Sequence, residues 1–177
     1  MRGKPGKVLV IQKTGWCLRK VPRAWARSHI SKVWFPDFAN YRRDGYDFDA
    51  RYDEGLAKHT DKVLYDLLDS HAPIISKELK KLGDYRKGGN KGFDTAIIRL
   101  QEQCYVITSN FAYMTDKNGQ PYGWGVAEYS TPEKFMGAAF TDKVYQREPE
   151  ESYQLILDHL KKILPQASME QIKKILK

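Results

Sequence analysis

The chain has 177 residues, 41% of them hydrophobic and 29% charged, which suits one domain with a real core or two small ones. No apolar run approaches the roughly 18 residues of a membrane helix and no apolar leader core opens the chain, so a cytoplasmic protein is expected. Two cysteines, Cys17 and Cys104, exclude a disulfide framework and a cysteine-rich zinc site; the net charge of +8 is local, because residues 1–36 hold nine Lys/Arg and no acid while the rest hold 21 basic and 22 acidic residues.

The first segment is broken by Gly3, Pro5 and Gly6 and then carries Val8-Leu9-Val10-Ile11, enough for a short strand. It reads as a basic arm able to track phosphates. Residues 34–52 hold seven of the 22 aromatics, spaced neither helically nor in alternation. That predicts an irregular segment pinned to the domain by its rings. Over residues 54–70, Leu56, Val63, Leu64, Leu67 and Leu68 form a helical stripe that Pro73 stops. Ile74-Ile75 follows as a short strand. Ser76 is the expected N-cap of a two-turn helix, with Glu78 in its first turn and Gly83 just past its end.

After a loop over 84–90, a third helix is expected from about 91 to 103, with Phe93, Ala96, Ile97, Leu100 and Cys104 as its apolar stripe. Residues 105–115 and 122–129 read as the strands of a hairpin. Asn118-Gly119 joins them as a type I′ turn, in which both residues take positive φ. The second strand alternates Tyr122, Trp124 and Val126 on one face with Gly123, Gly125 and Ala127 on the other. Thr131 caps a helix with Pro132 at its first position. A longer helix starts at Pro149 and ends at Pro165, and Ser168 and Gln171 form the capping box of the last one.

Helix, strand, helix, helix, hairpin is the element order of a winged helix-turn-helix. In such folds the last helix before the hairpin enters the major groove and the hairpin tip touches the flanking backbone. The charge pattern agrees. Residues 76–99 carry seven basic groups against three acidic ones, the one basic cluster of an otherwise neutral body.

Several stretches also resemble a known family. They are Ser31 to Phe38, Asn40-Tyr41-Arg42-Arg43, Gly45-Tyr46-Asp47-Phe48-Asp49, Arg99 to Tyr105, Tyr122 to Ala127 and Tyr129-Ser130-Thr131-Pro132-Glu133. Over roughly residues 28–177 the sequence resembles the bacterial AlkZ-related proteins, small proteins similar to one part of the winged-helix AlkZ DNA glycosylases. The resemblance implies a winged helix and a link to DNA. It supplies no activity, and residues 1–27 lie outside it.

The candidate DNA-contacting residues are Ser76, Lys77, Lys80, Lys81, Arg86, Lys87, Asn90, Lys91, Thr95, Arg99, Lys117 and Asn118. On a wheel of the third helix, Lys91, Thr95 and Arg99 lie opposite Phe93. Arg pairs bidentately with guanine and Lys mostly meets phosphate. Glu102 on the same face opposes phosphate contact. Gln101 and Gln103 are similar to the paired glutamines of the AlkZ glycosylases, yet positions i and i+2 of a helix diverge by about 200°, so these amides do not converge on one water. An extended backbone over 101–105 would reverse that conclusion. Asp47, Asp49, Asp53 and Glu54 fail the calcium-loop pattern, since Arg51, Tyr52 and Lys58 occupy its ligand and glycine positions. Pairing with Arg42, Arg43 and Arg51 is the expectation. The histidines show no ligand spacing, and Gly88-Gly89 lacks a phosphate-loop context.

The sequence is thus read as an α+β protein with three parts. A basic and aromatic extension covers 1–53, a winged helix-turn-helix core covers 54–130, and C-terminal helices over 131–177 pack on it. The expected partner is duplex DNA, with no membrane, metal, cofactor or catalytic residue, and a homodimer through the C-terminal helices is compatible. The rival readings are a base-excision enzyme of DNA glycosylase type using Asp47, Asp49 or Glu54, and a winged module that binds protein.

Overall fold

The computed structural model describes residues 33–176. The basic arm and the strand expected at Val8–Ile11 lie outside the described residues. The aromatic-rich segment is not irregular. It forms two helices, α1 (Phe35–Arg43) and α2 (Phe48–Asp53). Pro36 sits in the first turn of α1, and Phe35, Phe38 and Ala39 repeat at i, i+3 and i+4 as its buried face. Asp44 closes α1 in a left-handed conformation, φ 56°. Asp47 then caps α2, its Oδ1 accepting from the Ala50 N–H at 2.8 Å.

Helix α3 (His59–His71) starts later than the stripe suggested, so Leu56 lies outside it and is exposed. Leu64 and Leu68 form its buried seam. Strand β1 (Ile74–Ile75) leads into α4 (Ser76–Leu82). Ile75, not Ser76, holds the N-cap position, and no side chain caps α4. Gly83 ends the helix with φ −81°, and the left-handed residue is Asp84, φ 53°. Helix α5 (Phe93–Glu102) is shorter at both ends than expected, which leaves Lys91 before it and Cys104 after it. Cys104 is nonetheless buried, because a positive φ of 62° turns it back into the core.

Strands β2 (Ile107–Thr115) and β3 (Pro121–Ser130) form the hairpin, and the antiparallel sheet has the order β1-β3-β2. The type I′ turn is absent. The Gly119 N–H donates to the Asp116 carbonyl at 3.0 Å and the Asp116 N–H to the Gln120 carbonyl at 2.9 Å, which makes a three-residue loop. Gly119 alone takes the positive φ, 76°. The Asp116 carboxylate accepts from the Asn118 and Gln120 N–H groups, and this local bond replaces the mirror-image turn. The alternation expected of β3 also breaks. Ala112 faces Val126 and Met114 faces Tyr122, so 123–125 bulge opposite Tyr113.

One helix was expected after Thr131; Gly137 splits it into α6 (Pro132–Met136) and α7 (Ala138–Val144). The Thr131 hydroxyl caps α6 as expected. Helix α8 (Pro149–Ile163) begins and ends where its prolines dictate, and Ser168 and Gln171 cap α9 (Met169–Leu176) reciprocally.

The fold is α+β with two apolar cores. One gathers α1, α7, α8 and α9, with Phe35, Phe140, Leu160 and Ile172 at its centre. The other gathers α2 to α5 and β1 around Phe48, Leu64, Leu68, Leu79 and Leu100. The link from α5 to β2 stitches them. Cys104 and Ile107 enter the first core, while Tyr105 and Val106 enter the second.

Candidate nucleic-acid interface

Three segments carry the candidate contact residues. Helix α4 presents Lys77 and Lys81 one turn apart, both exposed. Lys80 points elsewhere. Its Nζ lies 3.0 Å from Asp94 and 4.7 Å from the centre of the Phe93 ring, so it ties α4 to the start of α5. Ser76 is half-buried at the start of α4.

The loop from Gly83 to Gly92 is fixed by its own backbone. The Tyr85 N–H donates to the Lys80 carbonyl at 2.8 Å, and the Asn90 N–H donates to the Asp84 carbonyl at 2.7 Å. The Asn90 side chain donates back to the Gly83 carbonyl at 2.9 Å. Asn90 therefore shapes the loop from within. Gly89 lies so close to the Asp84 carbonyl that a Cβ would overlap it. This clamp leaves Arg86 and Lys87 exposed at the loop tip, with Lys91 exposed where it meets α5.

On α5, Thr95 is exposed, but Arg99 is occupied. Its Nε and Nη2 donate to Asp61 at 2.8 and 2.6 Å, a two-pronged pair with a buried carboxylate on α3. A base contact by Arg99 has to compete with that pair. Lys117 and Asn118 are exposed in the hairpin loop. Among the described residues, Lys77, Lys81, Arg86, Lys87, Lys91 and Lys117 have no ion-pair partner, whereas Lys80 and Arg99 do.

Helix α5 runs through Glu102, so the geometric objection to a glutamine pair stands. Gln101 is buried and its Nε2 donates to the Thr108 hydroxyl at 3.1 Å, while Gln103 caps the helix. Two members of the acidic set are engaged in structure. Asp47 caps α2, and Asp49 lies 3.1 Å from Lys62. Among the described residues no cluster of three or more His, Cys, Asp or Glu could hold a metal ion.

Sequence patterns do not reveal the buried Arg43, which several elements of the described residues surround. Arg43 is 1% exposed. Its Nη1 donates to Glu133 at 2.7 Å and to the Tyr145 hydroxyl at 2.8 Å, and its Nη2 donates to the Cys104 carbonyl at 2.8 Å. The Tyr105 and Phe140 rings cover its guanidinium at 4.6 and 5.1 Å. The expected pairing of Arg43 with Asp47, Asp49, Asp53 or Glu54 does not occur. Arg51 instead donates to the Arg43 carbonyl, and Arg42 Nε donates to the Glu102 carbonyl at the end of α5. Burial keeps the Tyr65 and Tyr105 phenols well above their ordinary range and pushes the Cys104 thiol up to about 12. Glu133 lies 90 residues from Arg43, and no local pattern in the sequence reports a pair of that span.

The family model described as AlkZ related matches residues 27–177. The chain belongs to the AlkZ-related family. Membership relates it to DNA glycosylase-like proteins and covers every described helix and strand. No curated protein and no solved structure matches the chain. The AlkZ-related match starts near the end of the basic arm, so the clustered positive charge of residues 1–26 falls outside it. Among the described residues of this AlkZ-related protein, no helix is long and apolar enough to cross a membrane.

Proposed function

We propose that the chain binds duplex DNA as a winged helix, through α4, the loop before α5, the exposed side of α5 and the hairpin loop, without catalysing a reaction. One observation carries the reading. A helix, strand, helix, helix, hairpin unit closed by a sheet of order β1-β3-β2 holds six basic side chains without ion-pair partners, on α4, on the clamped loop and at the hairpin tip. In a winged helix these are the segments that face the duplex. Family membership supports a DNA partner.

The roles differ by residue. Lys77, Lys81, Arg86, Lys87, Lys91 and Lys117 meet phosphates. Thr95 and Asn118 make the shorter polar contacts. Arg99 and Lys80 are positioning residues, because both already hold α5 against a neighbouring helix.

Fluorescence anisotropy with a labelled duplex at several salt concentrations tests the reading. The expected log–log slope is about −0.9 per phosphate neutralised. Replacing Lys77, Lys81 and Lys87 together with Glu should weaken binding by at least tenfold and flatten that slope. Deleting residues 1–32 separates the two sources of charge. Binding that vanishes with that deletion, and ignores the triple substitution, would sink the winged-helix reading. Base release from an alkylated duplex would overturn the non-catalytic part alone.

A further inference from the structure

Strand β2 is an edge of the sheet, and its outer side is bare among the described residues. Apart from its pairing with β3 and the turn that joins them, no described backbone group hydrogen-bonds to residues 110–115. Edge strands are usually protected by a charge, a proline, a bulge or extreme shortness. Residues 110–115 read Asn-Phe-Ala-Tyr-Met-Thr, with no charge, no proline and no glycine. The bulge of β2 lies earlier, at Ser109, and the second irregularity belongs to β3. The extra residues opposite Tyr113 lie on β3, so β2 carries no insertion between Asn110 and Thr115, and its outer edge there is uncharged.

Two aromatics on this stretch are left in solvent. Phe111 is 43% exposed and Tyr113 is 61% exposed. Both lean over the same spot on β3. A Cβ on Gly125 would stand 3.1 Å from the Phe111 Cβ and 3.4 Å from the Tyr113 ring. They thus share one face of the sheet, with Ala112 between them.

From this edge we infer that β2 pairs antiparallel with β2 of a second copy of the chain, about a two-fold axis at Ala112. That register sets Phe111 opposite the partner's Tyr113 and Tyr113 opposite the partner's Phe111. Both exposed rings gain an aromatic cross-strand neighbour on the same face. A two-fold centred on either aromatic would pair only one of them with a ring. Because the stretch is uncharged, self-pairing sets no like charges opposite each other. The four rings, at about 200 Å² each and these exposures, contribute on the order of 400 Å². That is small beside the roughly 1,200 Å² of a standard interface, so the dimer is a weak one. The inference is independent of the DNA reading.

Sedimentation velocity of the full chain across the micromolar range should show a monomer–dimer equilibrium. Tyr113→Lys places a solvated charge on the edge without touching either core, and should shift the dissociation constant upward by at least tenfold at unchanged melting temperature. Ala112→Cys, in a background with Cys17→Ser and Cys104→Ala, should oxidise to a covalent dimer, while Thr115→Cys should not. A dimer that ignores Tyr113→Lys uses another surface and overturns the inference. A chain that stays monomeric overturns it too. If amides 110–115 then exchange slowly, and exchange quickly once residues 1–32 are deleted, the chain's own N-terminal segment covers the edge instead.

Discussion

Arg43 shows how a single side chain joins elements far apart in the sequence. A buried guanidinium costs several kcal/mol to desolvate, and only good geometry offsets it. Here one carboxylate, one phenol and one carbonyl accept from its Nη1 and Nη2, two rings cover its faces, and its buried Nε–H finds no acceptor. Tyr145 extends the chain of bonds, its hydroxyl donating to the Tyr46 carbonyl at 3.1 Å, and Tyr105 reaches the same carbonyl at 2.8 Å. Removing the cation strands the Cys104 carbonyl and the inner oxygen of Glu133. Arg43→Ala should therefore destabilise by about 3–5 kcal/mol, as measured by urea denaturation. Glu133→Gln keeps an acceptor in place, and its side chain is 30% exposed, so it should cost clearly less. Equal losses for the two variants would mean that the charge of Glu133, not the hydrogen-bond geometry, holds the site.

At the level of elements, the legible parts are those with local causes. The stripes of α3, α5 and α8 and the caps at Thr131, Ser168 and Gln171 need only neighbours within a turn. Helix α1 was illegible because almost every side of it is covered. Phe35, Phe38 and Ala39 face the core, while the Tyr41 ring packs at a tilt against Tyr153, centroids 4.8 Å apart, and Trp34 just before the helix stacks on His159 at 4.2 Å. Rings on all sides erase the amphipathic period. The same limit applies to the candidate interface. Its basic residues could be read from composition, but the capture of Arg99 by Asp61 spans 38 residues and could not. The loop from Gly83 to Gly92 gives a sharper test. Gly89→Ala drives a methyl into the Asp84 carbonyl that receives the Asn90 N–H. The loop must move, at a cost of about 1–3 kcal/mol. Melting should drop accordingly. If Arg86 and Lys87 contact DNA as proposed, affinity should fall with it, although no charge has changed. Unaltered affinity in a folded Gly89→Ala protein would remove the loop from the proposed surface.

For the molecule as a whole, the two cores should melt together, because residues 104–107 contribute two side chains to each and Arg43 bonds to the Cys104 carbonyl in that link. The same seam concentrates groups that resist ionisation. Burial raises the Cys104 thiol from 9.0 to about 12, and raises the Tyr65, Tyr105 and Tyr145 phenols above 10.0. Each of these groups holds its proton to a higher pH when folded than when unfolded. Their contribution to stability is thus complete below about pH 9 and is lost as pH rises through the folded values. The melting temperature should stay nearly flat from neutral pH to about 9 and then fall steeply, in one transition seen alike by far-UV and near-UV circular dichroism. Cys104→Ala removes the thiol and should soften the alkaline fall while lowering stability at neutral pH. Two separate transitions would mean that the link does not couple the cores. A melting temperature unchanged at about pH 11 would mean that water reaches the seam in the folded protein and that its thiol and phenols ionise there as they do in the open chain.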